Sequence, residues 1–258
     1  MTDAVVTAGG RISGPLAEMT GQSIKCLIEF DGKRLIDRVL DALHGAAGVG
    51  RVVVVAPPEL RELVTLGPDD QFLDDTGSGP GNFLAGLHAL SDQTQVLFST
   101  SDLPFITATA VDDLLARAEP GFGVQYPVMT REQVRQRFPR EANSYMKLRN
   151  GDMTGSSVML FEPQRVLDRE AEIQALFDAR KDLLKLARLV GFGIGLRFGL
   201  TKLCGWRLLS VEQVVARFSQ VAGFPVRAVW GCSPELTIDV DHERDWAEAL
   251  AHLELGSE

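Results

Sequence analysis

AVVTAGG (Ala4–Gly10) and, beyond a loop, KCLIEFDGKRLIDRVLDAL (Lys25–Leu43) decide how this chain is read. A β-branched strand ends in a small-residue turn, a loop carries one lysine, and an amphipathic helix follows. Glycines let backbone amides approach a ligand closely, and consecutive amides in such a turn form an anion-binding nest. The lysine adds a compact cation suited to phosphate. Together they point to a nucleotide phosphate site at the carboxyl end of the first strand, where open α/β sheets hold their ligands. As plain structure, the same unit is an ordinary strand–turn–helix. The chain has no GxxxxGK[ST] and no GxGxxG, so neither a P-loop nor a dinucleotide fingerprint accounts for it.

Outward from this stretch the chain alternates strand-like and helix-like segments, which predicts an α/β fold with a Rossmann-like, mostly parallel sheet. RVVVVA (Arg51–Ala56) is a continuous apolar run, as expected of a strand buried on both faces. Glu59–Val64 reads as a short helix, and QVLFST (Gln95–Thr100) as another buried strand. Thr107–Ala118 reads as a helix with Thr107 as N-cap. Gly123–Val128 reads as a strand and Thr130–Phe138 as a short charged helix. Ser144–Arg149 and Ser157–Phe161 are predicted strands joined by a long loop. Phe224–Trp230 and Leu236–Val240 return to strand, and Asp245–Leu253 closes with a helix. The expectation is one domain over 1–258, with a helical insertion at about 164–220. The cations of that insertion admit contact with a membrane surface through 182–209; solvated cations on a packed subdomain are the favoured reading.

Composition sets limits. The 258 residues carry a net charge of −9, which argues against nucleic-acid binding and suits carboxylates that hold a metal. Cys26, Cys204 and Cys232 form no CxxC pair, as expected of free thiols in a reducing compartment. The N-terminus lacks a basic region followed by an apolar one, so a cytoplasmic protein is expected. The four histidines form no HExxH, and no GxSxG is present.

Three further elements carry chemistry. Asp102 follows an apolar strand directly, the right place for a Mg²⁺ ligand. As a structural residue it would cap the next helix, but Thr107 already offers that cap. In ELTIDVDHERDW, alternation puts Asp239 and Asp241 on one face of a strand end. Asp239 is the better candidate ligand, with Asp241 capping the following helix or supporting the site. The glycine-rich Gly77–Asn82, ahead of a helix, is suited to contacting a nucleobase through backbone groups and the Asn82 amide.

In this order, AVVTAGG, KCLIEFDGKRLIDRVLDAL, GSGPGNFLAGLHAL, FSTSDLP and ELTIDVDHERDWAEAL resemble the MobA-like nucleotidyltransferases, over about residues 3–161 and 224–253. The resemblance implies a GT-A type sheet and Mg²⁺-dependent transfer of a nucleoside monophosphate from an NTP to a phosphate- or hydroxyl-bearing acceptor, releasing pyrophosphate. It implies that Ala8, Gly9 and Gly10 cradle phosphates and that Lys25 neutralises the α-phosphoryl group. Gly79 and Asn82 would meet the base beside Ser101, and Asp102 and Asp239 would bind Mg²⁺. Where many relatives read AGGxGxRM, this chain reads AGGRISGP, with Ile12 and Gly14 in the second glycine and arginine positions, so Arg11 is the candidate replacement cation. Ile24 stands where relatives have proline before the lysine. Two alternatives stay open: a GT-A glycosyltransferase using a nucleotide-sugar, and a catalytically degenerate nucleotide-binding protein.

Overall fold

The computed structural model describes residues 1–179 and 206–256. Strand β1 (Thr2–Thr7) leads through helix α1 (Pro15–Thr20) and a hairpin, β2 (Glu29–Phe30) and β3 (Lys33–Arg34), into α2 (Leu35–Gly45). Then come β4 (Val49–Ala56), β5 (Gln71–Asp74), α3 (Gly79–Ala89), β6 (Val96–Thr100) and α4 (Ala108–Ala116). The second half holds β7 (Val124–Thr130), α5 (Arg131–Arg137), β8 (Met146–Leu148), β9 (Gly151–Gly155), β10 (Val158–Phe161), α6 (Pro163–Leu167) and α7 (Glu170–Ala179). It ends with α8 (Val211–Ala222), β11 (Val226–Val229) and α9 (Glu243–Gly256).

One large sheet runs β5-β4-β1-β6-β10-β7-β9-β8, with β11 also paired to β7. The β5-β4-β1-β6 half is parallel. β10 is antiparallel to both of its neighbours. The expectation of an α/β fold with a mostly parallel sheet therefore holds, in a mixed sheet whose antiparallel pairs lie on the β10-β7-β9-β8 side. The winding explains where a ligand can sit. From β1 the chain moves outward through β4 to β5, then returns to lay β6 on the other side of β1. That reversal opens a crevice between the carboxyl ends of β1 and β6, the switch point of an open sheet.

Both faces of the parallel half are covered, which is why its strands are continuously apolar. Ala4, Val6, Val52 and Val54 point to the face packed by α2 and α4, among Ile36, Leu40, Val111 and Leu114. Val5, Val53 and Val55 alternate to the opposite face, among Phe83, Leu84 and Leu87 of α3. The contact there is so close that a Cβ on Gly86 would collide with the methyls of Val5, a fully buried residue. Gly86→Val gains roughly 0.3–0.5 kcal/mol of helix propensity. It overpacks this interface at a cost of about 1–3 kcal/mol. Calorimetry is expected to show a Tm lower than wild type; an unchanged Tm would mean that α3 does not pack this tightly.

Several elements differ from the sequence reading. Leu236–Val240 is not a strand: Pro234 starts a 3-10 turn through Leu236, and the following residues join no strand ladder. The proline at its entry lacks the N–H a ladder needs. Glu59–Val64 tightens to a 3-10 turn over Pro58–Leu60. The predicted loop between Ser144–Arg149 and Ser157–Phe161 contains a further strand, β9, paired to both β7 and β8. The short β5 hides in a polar stretch because it lies at the sheet edge. α7 falls within the helical insertion expected at 164–220, and α6 and α8 overlap its two ends; its middle, and most of 182–209, lies outside the described residues.

Candidate active site

The turn after β1 is shaped by what its glycines touch. A Cβ on Gly9 would lie 2.5 Å from Asp75 Oδ2 and 2.8 Å from Asn82 Nδ2, so only glycine fits between the two loops. Gly10 accepts a hydrogen bond from the Lys25 amide (2.9 Å), and Ile12 donates to Ser23 (3.0 Å). Arg11 and Ile24 form a β-bridge. The loop thus folds back on itself and pins the Lys25 backbone beside the glycine turn. The AGGRISGP sequence folds in this way with Ile12 and Gly14 in the loop.

Parallel pairing of Thr7 with Thr100 sets the turn beside Ser101 and Asp102, both buried at the end of β6. The Lys25 ammonium sits between two carboxylates, paired with Asp102 Oδ2 and, at 2.5 Å, with Asp241 Oδ1. Burial works against the charged lysine, but Asp102 and Asp241 outweigh it and hold its pKa above the ordinary value. Asp239 completes the group. Burial, then the nearby Asp102 charge, push its carboxyl well above the usual carboxylate range, and a hydrogen bond from Ser157 Oγ (2.8 Å) opposes them only in part. The Val240 amide donates to the Asp102 carbonyl (3.2 Å), which ties the late segment to the end of β6.

This segment converges on the site although it is not a strand. Ser157 sits at the irregularity between β9 and β10, where Ser156 Oγ and the Ser157 amide both bond to the Leu236 carbonyl. Asp245, not Asp241, accepts the amides at the start of α9 (3.0 and 2.8 Å). Asp241 is thereby left for Lys25. Sequence alternation pointed to both aspartates; the roles of Ser157 and Asp245 had no signal in the sequence.

The loop before α3 forms the opposite wall. Ser78 caps the helix by accepting from the Gly81 amide (3.1 Å). Asn82 is buried, and its Oδ1 accepts from both the Thr76 amide and the Thr76 hydroxyl, each at 2.8 Å. Its amide oxygen is thus engaged in bracing the loop, while Gly79 lies exposed at the first turn of α3. Asp75, which the sequence reading did not single out, accepts the Gly77 amide and packs on Gly9, coupling this loop to the glycine turn. Arg11 turns to the surface and pairs with Glu59 at 2.5 Å, away from the carboxylates around Lys25.

The chemistry of this cluster suits a hard divalent cation. Two carboxylates pair with one ammonium, and a third, Asp239, lies within reach of the Asp102 charge. Asp102 Oδ1 is buried with no hydrogen-bond partner. Among the described residues no three acidic, histidine or cysteine side chains form a ready-made cage. Mg²⁺ needs none, because it takes one or two carboxylates and fills its shell with water and substrate phosphates. Asp102 and Asp239 are the residues able to hold it.

Comparison with known proteins agrees with this fold. No curated protein matches the chain. A hypothetical transferase from Thermus thermophilus is 33% identical, with 95% of this chain and 98% of that one covered and a TM-score of 0.79. The 2-C-methyl-D-erythritol 4-phosphate cytidylyltransferase of the same species shares the fold at 19% identity, over 97% and 98% of the two chains, with a TM-score of 0.57. So does a CMP:2-keto-3-deoxy-manno-octonic acid synthetase solved with CTP, at 16% identity, over 99% and 100%, with a TM-score of 0.57. The sequence matches the MobA-like NTP transferase domain over residues 4–237, and the chain belongs to that family of nucleotidyltransferases.

Proposed function

We propose that the protein is a Mg²⁺-dependent nucleotidyltransferase that moves a nucleoside monophosphate from an NTP to a small acceptor and releases pyrophosphate. The observation that carries this reading is the Lys25 ammonium held between Asp102 and Asp241, with Asp239 beside them, at the β1/β6 switch point. Nucleotidyl transfer depends on in-line positioning and charge neutralisation more than on covalent chemistry by the protein. The cluster stores what that requires: a cation for the α-phosphoryl group and carboxylates for the metal.

The amides of Gly9 and Gly10 receive the triphosphate. The loop from Asp75 to Asn82, braced through Thr76, shapes the base pocket. Asp102 and Asp239 would hold Mg²⁺, which would supply charge neutralisation for the phosphates. Lys25 leaves its carboxylate partners and turns to the α-phosphoryl oxygens. An acceptor oxygen attacks the α-phosphorus, the α–β phosphoanhydride bond breaks, and pyrophosphate leaves with the bonding electrons. A phosphate acceptor is already anionic; a hydroxyl acceptor loses its proton to solvent.

The test is a thermal-shift series with ATP, GTP, CTP, UTP and UDP-sugars, each with and without Mg²⁺. A ligand that binds only the native state raises stability by RT ln(1 + [L]/Kd), about 2.7 kcal/mol at a hundredfold excess over Kd. One NTP is expected to raise Tm only with Mg²⁺, and CTP is the first to try, given the neighbour solved with it. A shift with UDP-sugars and none with any NTP would replace this reading with glycosyl transfer.

A further inference from the structure

A second cavity, of about 730 Å³, opens between the β7-β9-β8 end of the sheet and α8. Its size falls in the range of small-molecule sites, roughly 300–1,000 Å³. Among the described residues its walls are overwhelmingly apolar: Val128 and Met153 from the sheet, Val214, Val215 and Phe218 from α8, and Phe224 beyond it. Phe218 is partly exposed at its edge. The hydroxyls of sugars or polyols would find few hydrogen-bond partners along these walls, and a buried hydroxyl without one is costly.

The cavity adjoins the candidate active site across the Gly155–Thr237 contact. Thr154, Gly155 and Tyr126 line it, and Gly155 packs against the Tyr126 ring and hydroxyl. The Gly155 carbonyl accepts the hydroxyl of Thr237, two residues before Asp239. On the other side Asn143, which donates to the Thr237 carbonyl (3.1 Å), leads directly into the lining residues Ser144 and Tyr145. Tyr126, Thr154 and Gly155 thus form the side of the cavity that backs onto the Thr237–Asp239 segment.

Charge at this end also has a direction. The Arg131 guanidinium lies over the Tyr145 ring, 4.4 Å from its centroid. One carboxylate, Asp152, serves both Arg131 (3.4 Å) and Arg207 (2.7 Å), and Lys147 stands exposed on the lining. Around the lining residues Tyr145, Lys147 and Leu148, the cations Arg131, Lys147 and Arg207 outnumber the carboxylates Asp152 and Glu141, the latter beside Tyr145, and suit an anionic head group.

From this juxtaposition we infer that the acceptor is amphiphilic: a hydrocarbon chain occupies the cavity and its phosphate or hydroxyl head is presented past Gly155 to the Asp102–Asp239 site. The inference rests on the nucleotidyl-transfer reading for its chemistry and deepens it by naming the acceptor class. The transfer itself is the one already written, with the head-group oxygen as nucleophile and pyrophosphate as leaving group.

The test uses butyl, octyl and dodecyl phosphate, below the concentrations at which they aggregate, with glycerol 3-phosphate as the polar control. Binding is followed by calorimetry, and product by formation of an alkyl-linked nucleotide with the NTP selected above. Affinity is expected to rise by up to about fourfold per added methylene, the ratio that ~0.8 kcal/mol per buried CH₂ gives. Val215→Phe and Ala228→Leu fill the cavity without touching the carboxylates. Both are expected to weaken dodecyl phosphate at least tenfold and leave the Mg²⁺·NTP shift as in wild type. If either variant unfolds, the chain-length series on wild type still decides. Affinity that does not depend on chain length, binding that the folded variants retain, or glycerol 3-phosphate binding as well as dodecyl phosphate would each overturn the inference. So would bound dodecyl phosphate that never accepts nucleotide while the protein binds Mg²⁺·NTP. Loss of all NTP binding with alkyl phosphate binding intact would instead remove the nucleotidyl-transfer reading and leave an apolar ligand site.

Discussion

Asp102→Asn is expected to abolish Mg²⁺-dependent NTP binding and to lower turnover by roughly 10³-fold, while leaving the fold intact. The magnitude follows from the several kcal/mol of charge stabilisation that a catalytic metal supplies. The fold survives because asparagine matches aspartate in shape and the β6 end is held by backbone pairing to β1 and by the Val240 amide. Removing this carboxylate also relieves repulsion against Asp239, whose carboxyl lies above its usual range first through burial and next through Asp102. An acid with a raised folded pKa binds its proton more tightly folded than unfolded, so the metal-free wild type loses stability as pH rises through the carboxylate range. In Asp102→Asn that loss is expected to shrink, and the metal-free variant is expected to melt at or above the wild-type temperature. Thermal scans across pH 4–8, with and without Mg²⁺, check both points. A mutant that keeps the wild-type Mg²⁺ response would remove Asp102 from the metal site.

Lys25→Met is expected to act in the opposite direction on stability. Lys25 is the cation that Asp102 and Asp241 share, and the Lys25–Asp102 pair is largely shielded from water. Removing one partner of a buried pair leaves an uncompensated charge, at a cost of about 3 kcal/mol. For a chain of this length that is roughly 6–12 °C in Tm. Mg²⁺ supplies the missing positive charge, so the deficit is expected to shrink on adding it, more than wild type gains from the same addition. Turnover is expected to fall by about 10²–10³, the usual cost of losing one group that stabilises developing charge. The two variants together separate roles that a single loss of activity would confuse. A Lys25→Met protein with wild-type Tm and full turnover would show that the lysine is neither a structural counter-ion nor a participant in transfer.

Much of the nucleotide side was legible from local sequence. VVVVA (Val52–Ala56) is apolar throughout because its strand is covered on both faces, and AVVTAGG followed by a lone lysine marks a strand end with a turn. Thr107 caps α4 as its sequence position suggests, because a short hydroxyl ahead of a helix has one main use there. Asp102 was legible for the same reason: a carboxylate directly after a buried strand has few structural roles once the cap is assigned elsewhere. Asp239 and Asp241 were found through strand alternation, and they reach the site although Leu236–Val240 is not a strand. What brings them there is the set of bonds from Ser156, Ser157 and Val240, contacts that span some 80 to 140 positions of the chain.

The sequence by itself determined the α/β class, the buried parallel strands, the glycine turn and the identity of the charged groups, because periodicity, turn chemistry and charge are properties of neighbouring residues. Tertiary structure decided which of those groups meet. It sent Arg11 to Glu59, used the Asn82 amide oxygen to brace its own loop, gave Lys25 to two carboxylates, and opened the apolar cavity beside Asp239. Those outcomes depend on the strand order that returns β6 to the side of β1 and on a break between β9 and β10. Neither is written in any local pattern, since chain reversal and strand pairing join residues whose sequence separation carries no signal of their contact.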